Sequence, residues 1–229
     1  MKTPTILLHG ALGAANQFDG LLGLFSAEQP VFAPNLPGHG PLSAATPYTL
    51  ALFSDAVLKF MDDDNIARAN IFGYSMGGYV ALYLAAKHPE RIRRVVTYGT
   101  KLEWTPEVAT GMNRMFDPEK IAAKVPQFAQ ALASTHADWA LVCLRTAAFL
   151  RDLGQGDGIQ DALFSHILCP VTIGRGTEDT VVSAAESQRV AGLIPHGKYV
   201  ELTGGKHPLE LVDLNILFKF VEKGLTGDC

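Results

Sequence analysis

Short, wholly apolar runs that stop at glycine-rich turns recur along this chain, with helical patterns between them. Thr5, Ile6, Leu7 and Leu8 end at His9-Gly10, and residues 31–33 end at Pro34-Asn35-Leu36-Pro37-Gly38-His39-Gly40. Residues 70–72 run into Gly73-Tyr74-Ser75-Met76-Gly77-Gly78, and 95–98 form another such run. A strand without polar alternation is one buried on both faces, the condition of a parallel sheet covered by helices. Between these runs, Leu50, Ala51, Phe53, Val57, Leu58 and Met61 recur at helical spacing and close in Asp62-Asp63-Asp64, while 79–86 is apolar enough for a helix buried on most sides. Strands alternating with helices predict βαβ units in an α/β, doubly wound, mostly parallel sheet. The composition agrees: of 229 residues 48% are hydrophobic and only 18% charged, as a sheet covered on both faces within one domain requires.

The alternation lapses after Leu102. From there to about Phe164 the sequence carries helical segments broken at Pro106, Pro118, Pro126 and the loop Gly154-Gln155-Gly156-Asp157-Gly158, with no strand pattern. It resumes with a strand at 170–173, a helix over 183–193, a strand at 199–202 and an amphipathic helix over 208–221. The expected organisation is an α/β core of residues 1–101 and 166–229 with a helical insertion, 102–165.

Charge and cysteine usage exclude several classes of function. With 19 Lys and Arg against 23 Asp and Glu, a net charge of −4 argues against an electrostatic grip on nucleic acid. The most apolar stretches are too short, or interrupted by Arg145, for the ~20 residues of a membrane span. Met1 and Lys2 lead straight into a strand, without the apolar region and cleavage site of an export signal. Cys143, Cys169 and Cys229 make neither a CxxC pair nor an even set, which suits a reducing compartment and predicts a cytoplasmic protein. No metal-ligand cluster, phosphate loop or dinucleotide fingerprint stands in the sequence, so neither metal nor cofactor is expected.

The chemistry points to Ser75. In Gly73-Tyr74-Ser75-Met76-Gly77 the serine sits at a strand-to-helix turn, where its hydroxyl is exposed and larger residues two positions either side would collide. Serine needs a base to take its proton and an acid to orient that base. Asp179, in Gly176-Thr177-Glu178-Asp179, and His207, after Gly204-Gly205, each follow a late strand, giving the order Ser75, Asp179, His207 at the carboxyl edge of the sheet. Glu178 competes with Asp179. The other imidazoles, His9, His39, His88, His136, His166 and His196, read as turn, capping or surface residues. A tetrahedral intermediate also needs backbone N–H donors, which Ala11, in the glycine-rich turn after the first strand, and Met76, at a helix N-terminus, would supply.

Together ILLHGALG, APNLPGHG, IFGYSMGGYVALYLAAKHPERI, GRGTEDTVV and LTGGKHPLEL resemble the α/β-hydrolase superfamily over nearly the whole chain outside the insertion. The resemblance implies Ser75 as nucleophile, Asp179 as the acid orienting His207, the Ala11 and Met76 amides as oxyanion hole, and the insertion as a lid over the site. It also implies a sheet of about six strands that lacks the two strands usually preceding the first one here. Asn35 stands where an aspartate commonly precedes Leu-Pro-Gly-His-Gly, a change expected to affect turn structure alone. Tyr74, before the serine, indicates no subclass.

The expected activity is hydrolysis of a small carboxylic ester through an acyl-enzyme on Ser75, with a small-molecule substrate as the partner and the oligomeric state open. Carbon–carbon bond hydrolysis or pyruvate elimination is the alternative within the superfamily; against the latter, Tyr79 follows Gly77-Gly78 where that group carries arginine. A ligand-binding receptor on the same scaffold is the alternative outside catalysis. Trp104, Met115, Phe116, Trp139 and Phe149, with Met112, Phe128 and Leu150, either line an apolar pocket or form the lid's own core. Arg114, Arg145 and Arg151 either meet a substrate carboxylate or are solvated.

Overall fold

The computed structural model describes residues 2–41 and 46–227; Met1 and Cys229 lie outside them. Six strands, β1 (Thr5–Leu8), β2 (Val31–Phe32), β3 (Ala69–Tyr74), β4 (Ile92–Tyr98), β5 (Val171–Gly176) and β6 (Gly197–Leu202), form one sheet in the order β2-β1-β3-β4-β5-β6. Every neighbouring pair is parallel. Helices α1 (Asp19–Leu22), α2 (Leu50–Asp63) and α3 (Met76–Lys87) join the first four strands. Five more, α4 (Pro106–Asn113), α5 (Pro118–Lys124), α6 (Pro126–Thr135), α7 (Trp139–Asp152) and α8 (Asp161–Phe164), lie between β4 and β5, followed by α9 (Ala184–Leu193) and α10 (Leu214–Thr226).

The strands sort their side chains between two cores. Ile6 and Leu8 of β1, Ile71 of β3 and Val95 of β4 pack with Val57 of α2, Leu84 of α3 and Val190 of α9. Leu7, Phe72 and Val96, one position along each strand, turn to the other face and meet Leu21 of α1 and Leu217 and Val221 of α10. This period of two is hidden in the sequence because both faces are apolar.

Prolines open the inserted helices. Pro106, Pro118 and Pro126 each occupy the first turn of a helix, where the missing N–H is an orphan in any case. Thr105 and Asp117 cap two of them by accepting from the N–H of Val108, and of Glu119 and Lys120. Two expectations need correction. Residues 154–158 are not simply a loop: Leu153–Asp157 continues α7 as a π-helical turn, which Gly156 ends at φ 115°, a value open to glycine. The last helix does not start at Pro208; Leu209–Leu211 is a single 3₁₀ turn, and α10 begins after Asp213, whose Oδ1 accepts from the N–H of Asn215 and Ile216.

The strand order reverses direction at β1, with β2 on one side and β3 on the other. Loops leaving the carboxyl ends of β1 and β3 diverge there, opening the crevice in which α/β sheets bind ligands. Ala11 follows β1 and Ser75 follows β3.

Candidate active site

Ser75 is the single residue between β3 and α3 and has φ +50° and ψ −115°, a backbone state costing a non-glycine residue about 1–3 kcal/mol. Two glycines make the turn possible. A Cβ on Gly73 would strike the Cα of Gly78, and one on Gly77 would strike the carbonyl oxygen of Leu8, so α3 approaches β1 and β3 more closely than any side chain permits. The Ser75 N–H donates to the Tyr98 carbonyl at 2.9 Å, and the Thr100 hydroxyl donates to the Ser75 carbonyl at 3.2 Å, tying the strained turn to β4 and the residues after it.

Facing the serine, His207 Nε2 lies 3.4 Å from Ser75 Oγ, and its Nδ1 lies 3.0 Å from Asp179 Oδ2. The Asp179 side chain is wholly buried, and its other oxygen accepts from the N–H of Val181 at 2.8 Å and of Val182 at 2.9 Å. Burial pushes this carboxyl's pKa up, but the His207 hydrogen bond and the two amides outweigh it and hold the pKa below the ordinary aspartate value. With the carboxylate accepting at Nδ1, the imidazole keeps its proton there and turns the Nε2 lone pair towards the serine hydroxyl. Glu178 is exposed and 4.0 Å from the Lys206 ammonium, away from the imidazole. The loop carrying His207 is held from below: the Tyr74 hydroxyl donates to the His207 carbonyl at 2.9 Å and the Tyr98 hydroxyl to that of Lys206 at 2.8 Å.

Ala11 and Met76 border the same cavity as Ser75 and His207. Among the described residues, neither has an acceptor for its backbone N–H. Several polar groups around Ala11 are engaged. The Gly10 N–H donates to Gln17 Oε1, the Gly10 carbonyl accepts from the Gly13 N–H and from His9 Nδ1, and the Leu12 carbonyl accepts from His136 Nε2. Asn35 has the turn role expected of it, its side-chain oxygen accepting from the Ala15 N–H at 2.7 Å.

The cavity measures about 180 Å³, small beside the ~300–1,000 Å³ of clefts that hold drug-sized ligands. Trp104, Met115, Phe116 and Phe149 line it, as do Met112 and Leu150. Trp139 does not: it packs against Ile121, Leu132 and Cys143, a satellite core of the helical segment, and Phe128 borders a separate groove. Arg114 and Arg151 are exposed, and Arg145 does not line the cavity. The cation that does is Lys101, whose Nζ is 2.9 Å from Glu186 Oε1. Glu186 is fully buried and also accepts from the N–H groups of Leu102, Glu103 and Ser183. Tyr79 uses its hydroxyl to accept from the Ile159 N–H at 2.7 Å.

Three of the histidines read as turn, capping or surface residues are buried: His39 lies in the 36–40 turn and His136 is the C-cap of α6, but their rings, like that of His9, belong to the core. His9, His39 and His136 are at most 4% exposed and lie ring against ring, with centroids 4.9 Å apart for His9 and His39 and 5.8 Å for His39 and His136. Burial lowers the pKa of all three. Cys143 and Cys169 are buried free thiols, each pushed up to about 11 by burial.

A parallel sheet with a strained serine elbow at its switch point defines a hydrolase-type α/β architecture, and the comparisons place the chain within it. The alpha/beta hydrolase fold family model matches residues 3–141, and the chain belongs to that family. It is 42% identical over 87 residues to a pimeloyl-[acyl-carrier protein] methyl ester esterase of Neisseria meningitidis, a match covering 38% of this chain and about a third, 32%, of that relative's length. The enol-lactonase of Burkholderia xenovorans superposes with a TM-score of 0.79 at 24% identity, covering 99% of this chain and 92% of that one. A thermophilic esterase from Thermogutta terrifontis gives 0.77 at 18% identity, covering 99% and 90%. These two are likenesses of fold. Among the described residues, no helix is long and apolar enough to cross a membrane.

Proposed function

We propose that the chain is a serine hydrolase that cleaves a small carboxylic ester through an acyl-enzyme on Ser75. The observation that carries this reading is the relay of Ser75 Oγ, His207 and Asp179 beside two unengaged backbone N–H groups. His207 Nε2 takes the hydroxyl proton as Ser75 attacks the ester carbonyl, and Asp179 holds the imidazole tautomer and stabilises the imidazolium. The oxygen of the tetrahedral intermediate accepts from the Ala11 and Met76 N–H groups, the latter at the positive end of α3. The imidazolium then gives its proton to the leaving alcohol. Water, deprotonated by the same imidazole, releases the acid and restores Ser75.

The cavity supports a neutral, apolar group on the substrate. Its walls are aromatic and thioether side chains, and its lysine is already paired with Glu186. Residues 102–165 act as the lid, since Trp104, Met115, Phe116 and Phe149 close the cavity over Ser75 and the remaining units, 1–101 and 166–229, form the core. The methyl ester esterase named in Neisseria meningitidis supports an ester as the reacting group.

Labelling with a fluorophosphonate tests the nucleophile. Wild-type protein is expected to label and Ser75→Ala to lose essentially all of the signal, since the label bonds to the activated nucleophile. Equal labelling of the two proteins rejects Ser75. Absence of turnover across p-nitrophenyl esters of graded acyl length, with a small ligand bound tightly instead, would favour the receptor reading.

A further inference from the structure

His136 ends α6 in the helical segment, yet it reaches the turn that carries Ala11. Its Nε2 is 3.0 Å from the Leu12 carbonyl oxygen, 124 positions away in sequence. Its Nδ1 is 2.9 Å from the Gly40 backbone nitrogen. The Gly40 N–H can only donate, so Nδ1 accepts, the ring proton sits on Nε2, and the imidazole donates to Leu12. The Ala137 N–H returns a bond to the Gly40 carbonyl at 3.0 Å, fixing the backbone on either side of the ring. Tautomer and position of this side chain are thus both determined.

The bond falls where the chain is under strain. Leu12 has φ +58°, a conformation costing a side chain of its kind of order 1–2 kcal/mol, inside the turn that the Gly13 N–H closes on the Gly10 carbonyl. Of the other anchors of that turn, Gln17 is a neighbour in sequence, and His9 bonds the Gly10 carbonyl while its Nε2 accepts from the Leu36 N–H, so neither bonds Leu12 itself. His136 is the anchor that comes from the helical segment and holds the Leu12 carbonyl directly. Loss of that bond would free Leu12 to relax towards negative φ and would let the adjoining Ala11 N–H turn from its direction.

We propose that His136 is a positioning residue for the oxyanion hole, holding the Ala11 amide through the Leu12 carbonyl and completing the hole only when the helical segment is seated on the core. The inference rests on the reading of Ser75 as nucleophile and of the Ala11 and Met76 amides as the hole. It assigns the helical segment a part in catalysis as well as in enclosing the cavity.

The test compares wild type, His136→Phe and His136→Gln. Phenylalanine fills the site but makes neither bond; the glutamine amide can still donate to Leu12. The readouts are kcat and KM for p-nitrophenyl butyrate and the affinity for phenylboronic acid, whose serine adduct places an oxygen in the hole. Complete loss of a hole donor costs about 10²–10³ in kcat, so displacing one is expected to cost His136→Phe about tenfold or more. KM should stay within about twofold, and boronate affinity should fall by the same factor as kcat, the mark of an interaction made only with the tetrahedral species. His136→Gln should recover to within about threefold of wild type. The inference is overturned if His136→Phe keeps kcat and boronate affinity within twofold, if KM rises as much as kcat falls, or if His136→Gln is no better than His136→Phe. Wild-type protein that reacts with neither fluorophosphonate nor boronate would instead overturn the Ser75 reading and this inference with it; normal reaction of the wild type confines any failure to His136.

Discussion

The residues that set this site divide by how far their partners lie along the chain. Ser75, His207 and an acid within the pair Glu178-Asp179 are legible in sequence because the chemistry restricts their types and each closes a strand, so local pattern and order suffice. The choice between Asp179 and Glu178 is not legible, since adjacent carboxylates differ only in the direction their side chains take; one is buried against His207 and the other exposed. The tyrosines beneath the His207 loop leave no trace at all. Their hydroxyls bond carbonyls 133 and 108 positions away, and a tyrosine at the end of an apolar strand reads only as core. Tyr98 is the cleaner one to test because, unlike Tyr74, it does not border the cavity. Tyr98→Phe keeps the ring and leaves the Lys206 carbonyl unpaired, a loss of ~0.5–1.5 kcal/mol in a hydrogen bond next to His207, the proposed base. Steady-state kinetics should show kcat down by about threefold to tenfold with KM little changed, and an unchanged kcat would show that the loop holds itself.

Elements are legible where a full period fits inside them. The fourteen residues of α2 and the twelve of α3 display their burial pattern over three turns or more, whereas α1, with four residues, is one turn and has no period to detect. The sequence pattern stops β5 at Ile173, short of its end at Gly176, because Gly174 and Gly176 carry little strand propensity. Helix starts are governed by caps, and α10 shows how two start signals compete: Pro208 suggests an N-terminus, but the carboxylate of Asp213 satisfies two orphan amides and sets the true one. Removing it is a direct check. Asp213→Ala should lower the free energy of unfolding in urea by about 1 kcal/mol, the usual worth of such a cap, with an unchanged m-value. A loss below about 0.3 kcal/mol would mean that burial of Leu217, Val221 and Leu225 fixes the helix start without the cap.

Across the whole molecule, three parts distant in sequence meet at one buried imidazole cluster: the turn after β1 through His9, the 36–40 turn through His39, and the helical segment through His136. A polar residue between elements looks solvent-facing in a sequence, which is why this junction was not legible there. The His9 and His136 rings are locked neutral by their partners, and His39, whose Nδ1 donates to the Pro37 carbonyl, is kept neutral mainly by burial. His9 donates from Nδ1 to the Gly10 carbonyl and accepts at Nε2 from the Leu36 N–H, so a second proton would face a donor; the same holds for His136 Nδ1 against the Gly40 N–H. Burial is the largest cause of the lowered pKa of His9, to about 4, and also lowers His39 and His136, with repulsion from the neighbouring imidazoles adding to the effect at His9 and His39. The unfolded chain, with imidazoles near 6.5, therefore binds more protons than the native state as pH falls below that value. Stability is fully present above about pH 6.5 and is lost progressively as pH falls towards 4. For His9 alone, the difference between 6.5 and about 4 corresponds to about 3 kcal/mol. The pKa values of Asp179 and Glu186 are also lowered, and those stabilising contributions are lost at still lower pH. Urea unfolding at pH 7.5, 6.0 and 4.5 should show the midpoint falling most steeply between the last two. A midpoint constant from pH 7.5 to 4.5 would mean that the cluster opens to water and is protonated without unfolding. In that case the helical segment would detach from the turn carrying Ala11 while the sheet stayed folded, and the proposed esterase activity would disappear at a pH where the molecule still resists urea.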